Sequence, residues 1–183
     1  MTDDLRPEYD LAELTRVPEI HKHARLPNLS IVPAGEIPKA SDCPLDRALD
    51  VYKICQKLEK VCILEHGIGI SAVQVGLPYK LFITLIGETR YFANCEYECL
   101  NEKVDSVEGC LSLRNSEGGS RLFKVKRSTE IVVSGYELIA NEKPKFKEFR
   151  ENFKDLAAIV MQHEIDHQND ILISSGVELF YAK

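Results

Sequence analysis

The chain contains no run of eighteen apolar residues, so no segment has the length and composition of an ordinary membrane-spanning helix. Its opening residues, MTDDLRPEYDLAEL, lack the basic-then-apolar pattern of a secretory leader. Positive charge is not in excess either. Lys and Arg number 23 against 29 Asp and Glu, a formal net charge of −6, which argues against a domain whose main role is to grip phosphate backbones. Internal repeats and low-complexity tracts are missing, and strand and helix signals do not alternate as a doubly wound parallel sheet requires. These absences lead us to expect a soluble protein of a cytosol-like compartment, with neither a membrane nor general nucleic acid as partner. In that setting the six cysteines, Cys43, Cys55, Cys62, Cys95, Cys99 and Cys110, are expected to be reduced thiols rather than a disulfide framework.

With 44% hydrophobic residues in a chain of 183, one domain can bury a substantial core. Pro7, Pro18, Pro27, Pro33 and Pro38 crowd the start, so residues 1–40 read as an irregular arm and residues 41–183 as a single domain. His21 and His23 in that arm read as a surface pair. From Pro44 to Glu65 the apolar positions Ala48, Val51, Cys55, Leu58 and Cys62 recur three and four apart, which predicts a helix with Ser41 and Asp42 as caps and Gly67 past its end. A short apolar run, Lys80 to Ile86, reads as a strand, further strand pieces lie between Thr89 and Leu113, and Val125 to Leu138 is rich in β-branched residues. Asn115–Ser120 and Asn141–Lys145 read as loops. Lys145 to Asn152 fits a strand or an early helical turn equally. Helical periodicity returns from about Lys154 through His167. The fold class expected is α+β, with mostly antiparallel strands packed around a central helix.

That last helix carries His163-Glu164-Ile165-Asp166-His167, an H-E-x-x-H. Residues four apart on a helix differ by about 40° around the axis, so both imidazoles can reach one metal ion. Glu164 lies about 100° round from His163, placed to flank the metal and act as a general base on a water there. A catalytic site of this kind needs a third protein ligand and an open position. Position 173, six residues past the second histidine, is Ile173, and Glu178 is the one glutamate downstream, so the third ligand is expected upstream. The leading candidate is Cys110 in Glu108-Gly109-Cys110-Leu111-Ser112, where the neighbouring glycine lets backbone come close. Cys95 and Cys99 form a C-x3-C without a second pair to complete a structural zinc site. Leu156, Ile159 and Val160 share the helix face of the histidines, a stripe that suits either core or a pocket wall.

Three segments together give the chain a family resemblance: Gly67-Ile68-Gly69-Ile70-Ser71-Ala72-Val73-Gln74, then Glu108 to Ser112, then Gln162 to His167. In that order they resemble the motifs of the peptide deformylases, over about Leu45 to Ile173. The resemblance implies a hydrolase that removes the N-formyl group from the initiator methionine of nascent polypeptides, on the catalytic domain 41–183. Cys110, His163 and His167 would hold one divalent metal, natively Fe(II), with zinc or nickel in purified material. Water activated by the metal would attack the formyl carbonyl while Glu164 serves as general base and then acid. Gln74 and the Leu111 amide would hold the carbonyl oxygen. Ile68, Gly69 and Leu111 would face Leu156, Ile159 and Val160 across a methionine pocket. The resemblance also pairs Glu108 with Arg127 as a brace and brings Arg121 toward the substrate backbone. Partners would be N-formylmethionyl peptides and, transiently, the ribosome. Sixteen residues (168–183) follow His167, so no long C-terminal docking helix is expected. A monomer in the cytoplasm of a bacterium, or of a host cell if viral, is expected, with an organelle as a further setting. Three positions depart from the family pattern: Ser71 for the usual alanine, Gln168 for leucine and Asp170 for glycine.

Overall fold

A computed structural model describes residues 19–26, 28–116 and 118–179. The first helix, α1 (Glu19–Ala24), lies within the proline-rich stretch and buries Ile20 and Ala24 against the second. Its histidines are docked rather than free: His21 Nδ1 lies 2.9 Å from Asp50 Oδ1, and His23 Nδ1 lies 2.9 Å from the Tyr79 hydroxyl. Of the expected arm, residues 1–18 and 27 lie outside the described residues, and residues 28–40 hold only a 3-10 turn, Ala34–Glu36.

Helix α2 (Ala48–Leu64) buries Val51, Ile54, Cys55, Leu58, Val61 and Cys62, the stripe that three-and-four spacing predicts. Its start differs from expectation. A 3-10 turn over Leu45–Arg47 intervenes, which leaves Ser41 and Asp42 too far upstream to cap the helix. Ser41 instead bridges to Tyr79, Asp42 pairs with Lys80, and the first turn is tied by the Arg47 guanidinium to Asp50 at 2.7 Å.

Eight strands follow: β1 (Gly69–Ser71), β2 (Leu81–Thr84), β3 (Arg90–Cys99), β4 (Lys103–Arg114), β5 (Ser120–Ser128), β6 (Glu130–Ile139), β7 (Lys145–Lys154) and β8 (Val177–Leu179). Helix α3 (Asp155–Gln168) lies between the last two. Among the described residues these strands all pair antiparallel, in a five-stranded sheet of order β1-β2-β3-β6-β7 and a three-stranded sheet of order β4-β5-β8. The α+β class is as expected. The stretch from Val125 to Leu138 divides between the two sheets at Thr129, and Lys145 to Asn152, which fitted two readings, is strand.

Side chains alternate across a strand, and that period of two builds the core. On β2, Leu81 and Ile83 face α2 while Phe82 faces α3; on β3, Tyr91 and Ala93 face α2 while Phe92 faces α3. The larger sheet is therefore covered on both faces. On the α3 side, Phe82 stacks on Phe92 with ring centroids 5.1 Å apart, and Ile131, Val133 and Phe153 complete the surface that receives Ala158, Met161 and Ile165.

A buried amide locks α3 to the end of β5. Gln162 Nε2 donates to the Ser128 carbonyl at 2.7 Å and to the Ala158 carbonyl at 2.9 Å, and Gln162 Oε1 accepts from the Ser128 amide at 3.1 Å. The side chain thus continues the hydrogen bonding of a strand into a helix, next to the first histidine. Replacing it by Leu leaves a buried N–H and a buried C=O without partners. We expect Gln162→Leu to lose about 2–4 kcal/mol of unfolding free energy in urea denaturation, and unchanged stability would show that these bonds do not hold the helix.

Candidate metal centre and active site

The bond that orients Gln162 also sets the rotation of α3, so that His163 and His167 turn toward β4. There Cys110 lies in a stretch, Gly109 to Arg114, where the pairing of β4 with β5 shifts register. The His167 Nε2 atom is 3.2 Å from His163 Nε2 and 3.3 Å from Cys110 Sγ. Donor atoms of all three residues lie within 4.8 Å of one another, the one such His, Cys and carboxylate grouping among the described residues. Bonds of about 2.0–2.1 Å to nitrogen and 2.3 Å to sulfur place tetrahedral ligands roughly 3.3–3.6 Å apart, so one thiol and two imidazoles fit a borderline divalent ion. Burial disfavours a charge on His163, yet bonds to Cys110 and Glu108 outweigh it and raise the imidazole to about 10. Burial, with His163 beside it, holds His167 well below the ordinary histidine range. A divalent ion satisfies the electrostatic demand that the His163 proton otherwise meets.

Behind the ligands runs a buried ionic chain. His163 Nδ1 lies 2.9 Å from Glu108 Oε2, which fixes the tautomer so that Nε2 keeps its lone pair for the centre. Arg127 donates to both oxygens of Glu108, at 2.9 and 3.1 Å, and to Asp166 at 2.5 Å. Tyr97 donates to the other Asp166 oxygen at 3.0 Å. Burial alone would raise Glu108, but His163 and Arg127 pull it down to about 2. The brace between Glu108 and Arg127 is thus present, extended by two residues that sequence reasoning did not single out. Asp166 stands inside the H-E-x-x-H segment, three residues past His163 and so about 60° round the helix from it, and that place in the segment was the available signal.

Glu164 is 3% exposed and its Oε2 has no hydrogen-bond partner. Burial, reinforced by the charge of Glu108, pushes it up to about 7, against the pull of His163 and Arg127. A carboxyl group so placed can both accept and return a proton near neutrality. It sits against Gly69, where a Cβ would lie 2.7 Å from Glu164 Oε1 and 3.0 Å from Val160 Cγ1. Gln74 is held with equal definition: its Oε1 accepts from the Ser71 amide at 2.9 Å, which turns Nε2 toward Cys110 Sγ at 3.4 Å. Ser71, in place of alanine, is buried and donates to the Leu81 carbonyl at 3.3 Å.

A cleft of about 700 Å³ opens over these groups, with Ile68, Gly69, Gln74, Cys110, Leu111, Leu156, Ile159, Val160, His163 and Glu164 in its walls. Ile68 and Leu156 are exposed there, whereas Val160 is buried. Arg121 is not among the lining residues. Its guanidinium is engaged by Glu178 through two bonds of 2.8 Å across β5 and β8, and it lies over the Phe123 ring. The same pairing takes Glu178 away from the centre. Cys95 is buried, Cys99 is exposed, and neither approaches the ligands. Sequence reasoning also missed Glu65 and Arg114, which line the mouth of the cleft from two different segments. At the end of α3, Asp170 adopts φ 59°, a left-handed geometry that favours glycine and that aspartate tolerates.

Two substitutions separate support from ligation. Glu108→Gln removes the charge that orients His163, and we expect about 10–100-fold weaker metal binding in a competition titration with a chelator. Arg127→Met leaves two buried carboxylates uncompensated, with an expected loss of about 3–5 kcal/mol in chemical denaturation. Wild-type values in both variants would contradict a supporting role for the chain of charges.

Comparison with known proteins bears on the same segments. The polypeptide deformylase family model matches residues 39–179. A peptide deformylase of Caldicellulosiruptor bescii is 33% identical over 135 residues, covering 72% of this chain and 75% of the relative. One of Syntrophomonas wolfei is 29% identical over 133 residues, covering 70% and 78%. Among solved structures, a peptide deformylase from Thermotoga maritima superposes with a TM-score of 0.68 at 24% identity, over 82% of this chain and 97% of that one. An actinonin-bound class I type b peptide deformylase from Acinetobacter baumannii gives 0.70 at 22% identity, over 82% and 98%, and shares the fold. With the family model running from the segment before α2 through β8, and so across the whole metal centre, the chain belongs to the polypeptide deformylase family of metal-dependent hydrolases.

Proposed function

We propose that this chain hydrolyses the formyl amide of N-formylmethionyl peptides, releasing formate and a free α-amino terminus. The convergence of Cys110, His163 and His167 beside a buried, unpaired Glu164 carboxyl carries the reading. These three residues would hold one divalent ion, for which we propose Fe(II), with zinc or nickel able to replace it in the same donor set. When bound, the ion supplies a Lewis acid and lowers the pKa of a water molecule toward neutrality.

Glu164 takes a proton from the attacking water. Its carboxyl, raised by burial to about 7, is basic enough to accept that proton and acidic enough to deliver it to the leaving amine. Water thus adds across the C–N bond: its oxygen and one hydrogen go to formate, the other hydrogen to the amine. As the carbonyl oxygen gains charge, the Gln74 amide and the Leu111 backbone N–H donate to it. The Gln74 side chain needs no reorganisation, because the Ser71 amide already holds its oxygen. Ile68, Gly69 and Leu111 on one side, and Leu156, Ile159 and Val160 on the other, enclose an apolar slot that suits the methionine side chain.

We read the enzyme as a monomer. Among the described residues no helix is long and apolar enough to cross a membrane. We place the activity in the cytoplasm, on peptides met transiently at the ribosome, with residues 41–183 as the catalytic domain.

Formate release from formyl-Met-Ala, with acetyl-Met-Ala left intact, is the expected outcome; cleavage of internal peptide bonds instead would overturn the assignment. Glu164→Ala should retain metal and lose about 10²–10⁴-fold in kcat. Full turnover in that variant would remove Glu164 from the proton path. Cys110→Ser should bind metal far more weakly, and unchanged metal content would mean that another residue completes the site.

A further inference from the structure

At the mouth of the cleft lies an ion pair between segments far apart in sequence. Glu65 caps α2, ahead of His66 at φ 57° and Gly67, whose amide donates back to the Cys62 carbonyl at 2.8 Å. The turn that places Glu65 therefore also presents Gly67, Ile68 and Gly69 to the cleft. Arg114 ends β4, four residues after Cys110. Its Nη2 donates to Glu65 Oε2 at 2.5 Å and its Nε to the Leu111 carbonyl at 3.2 Å. The loop that follows is stapled to itself, with Asn115 N to Gly119 O at 2.9 Å, Gly118 N to Asn115 O at 3.0 Å and Gly119 N to Asn115 Oδ1 at 2.7 Å. Gly118, Gly119 and Ser120 line the same end of the cleft. Glu65 and Arg114 are about one-third exposed, at 37% and 34%, so water and substrate both reach them.

We propose that Glu65 and Arg114 form a charge-neutral latch across this mouth and set specificity for the residues that follow formylmethionine, with Arg114 also a positioning residue for Leu111. This rests on the reading above. A peptide with its formyl group at the ligands and its methionine side chain in the apolar slot runs outward past these two groups, the charged side chains at the outer rim. Paired, they present no net charge and so do not discriminate between acidic and basic residues. Unpaired, either one presents a lone charge to the outgoing peptide. Because the pair is part-exposed, solvent and salt moderate its effect. The bond from Arg114 to Leu111 gives the arginine a second role, since it holds the peptide unit next to the N–H assigned to the carbonyl oxygen.

The metal-loaded enzyme is assayed for formate release from formyl-Met-Ala-Asp, formyl-Met-Ala-Ser and formyl-Met-Ala-Lys at low and high salt. In Glu65→Gln the freed guanidinium should raise the Asp-to-Lys ratio of kcat/KM by about two- to fivefold, through KM, and high salt should erase the change. Arg114→Gln should move the ratio the other way and also lower kcat on all three peptides. Arg114→Lys should return the ratio toward wild type while kcat stays low, because one ammonium cannot reproduce the arginine's fork to both partners. Ratios that stay constant in Glu65→Gln and Arg114→Gln, or move in one direction in both, would overturn the latch. Wild-type kcat in Arg114→Gln would overturn the positioning role. Absence of formate from wild type with every peptide would sink the deformylase reading itself, and the latch with it.

Discussion

One guanidinium holds the centre together. Arg127 is 4% exposed and is shared by Glu108 and Asp166, the first of which is bonded to His163 of the candidate metal centre while the second belongs to the helix that carries both histidines. Because Arg127 lies on β5 and Glu108 on β4, with Asp166 on α3, the same charge joins the small sheet to the helix that the large sheet carries. Desolvating such a group is tolerable only where its hydrogen bonds are met, and here two carboxylates meet them. Two carboxylates against one guanidinium leave an excess of negative charge in a water-poor interior, and His163, bonded to Glu108, is where positive charge from a proton or a bound cation would offset it.

The larger sheet supplies the rigidity that such a site requires. Its central strands are buried on both faces, α2 covering one and α3 the other, so α3 cannot slide without unpacking Phe82 and Phe92. The Gln162 amide fixes the remaining freedom, the rotation and height of α3 relative to β5. His163 follows it directly in sequence, so packing error passes almost undiluted into ligand position. A helix held by core on one side and by a polar lock at the base of its ligand face is suited to present two imidazoles at a fixed separation.

What could be read from the sequence was what is local. Both long helices follow from spacing three and four apart, and H-E-x-x-H places its histidines together on any helix. The ends of strands and their partners depend on distant residues. Thr129 alone separates β5 from β6, and nothing in its neighbours says that the chain changes sheets there. Strand β7, KFKEFRENFK, is mostly charged, and its phenylalanines at 146, 149 and 153 are spaced three and four apart as in a helix. The register with β6 settles the matter: Phe149 and Phe153 face α3, while Phe146 falls on the α2 side. In the site, Cys110 was reachable by elimination and by resemblance, whereas Asp166, Tyr97, Glu65 and Arg114 acquire their roles only through partners 39 to 69 positions away.

The position that binds these arguments together carries no side chain at all. Strand β1 must pair with β2 to complete the sheet, Val160 must form part of the slot, and the Glu164 carboxyl must lie close to the metal ligands and away from bulk water. All three demands meet at Gly69, where a Cβ would crowd Val160 Cγ1 at 3.0 Å and Glu164 Oε1 at 2.7 Å. A larger residue could be fitted by moving β1 outward, which would widen the cleft and hydrate Glu164, or by swinging the carboxyl away from His163 and Cys110. Hydration would also let the carboxyl fall back toward its ordinary range, since burial is the chief cause of its elevation. The hydrogen atom at this position is therefore what allows a closely packed strand, an apolar cleft wall and a buried carboxyl raised to about 7 to occupy adjoining space.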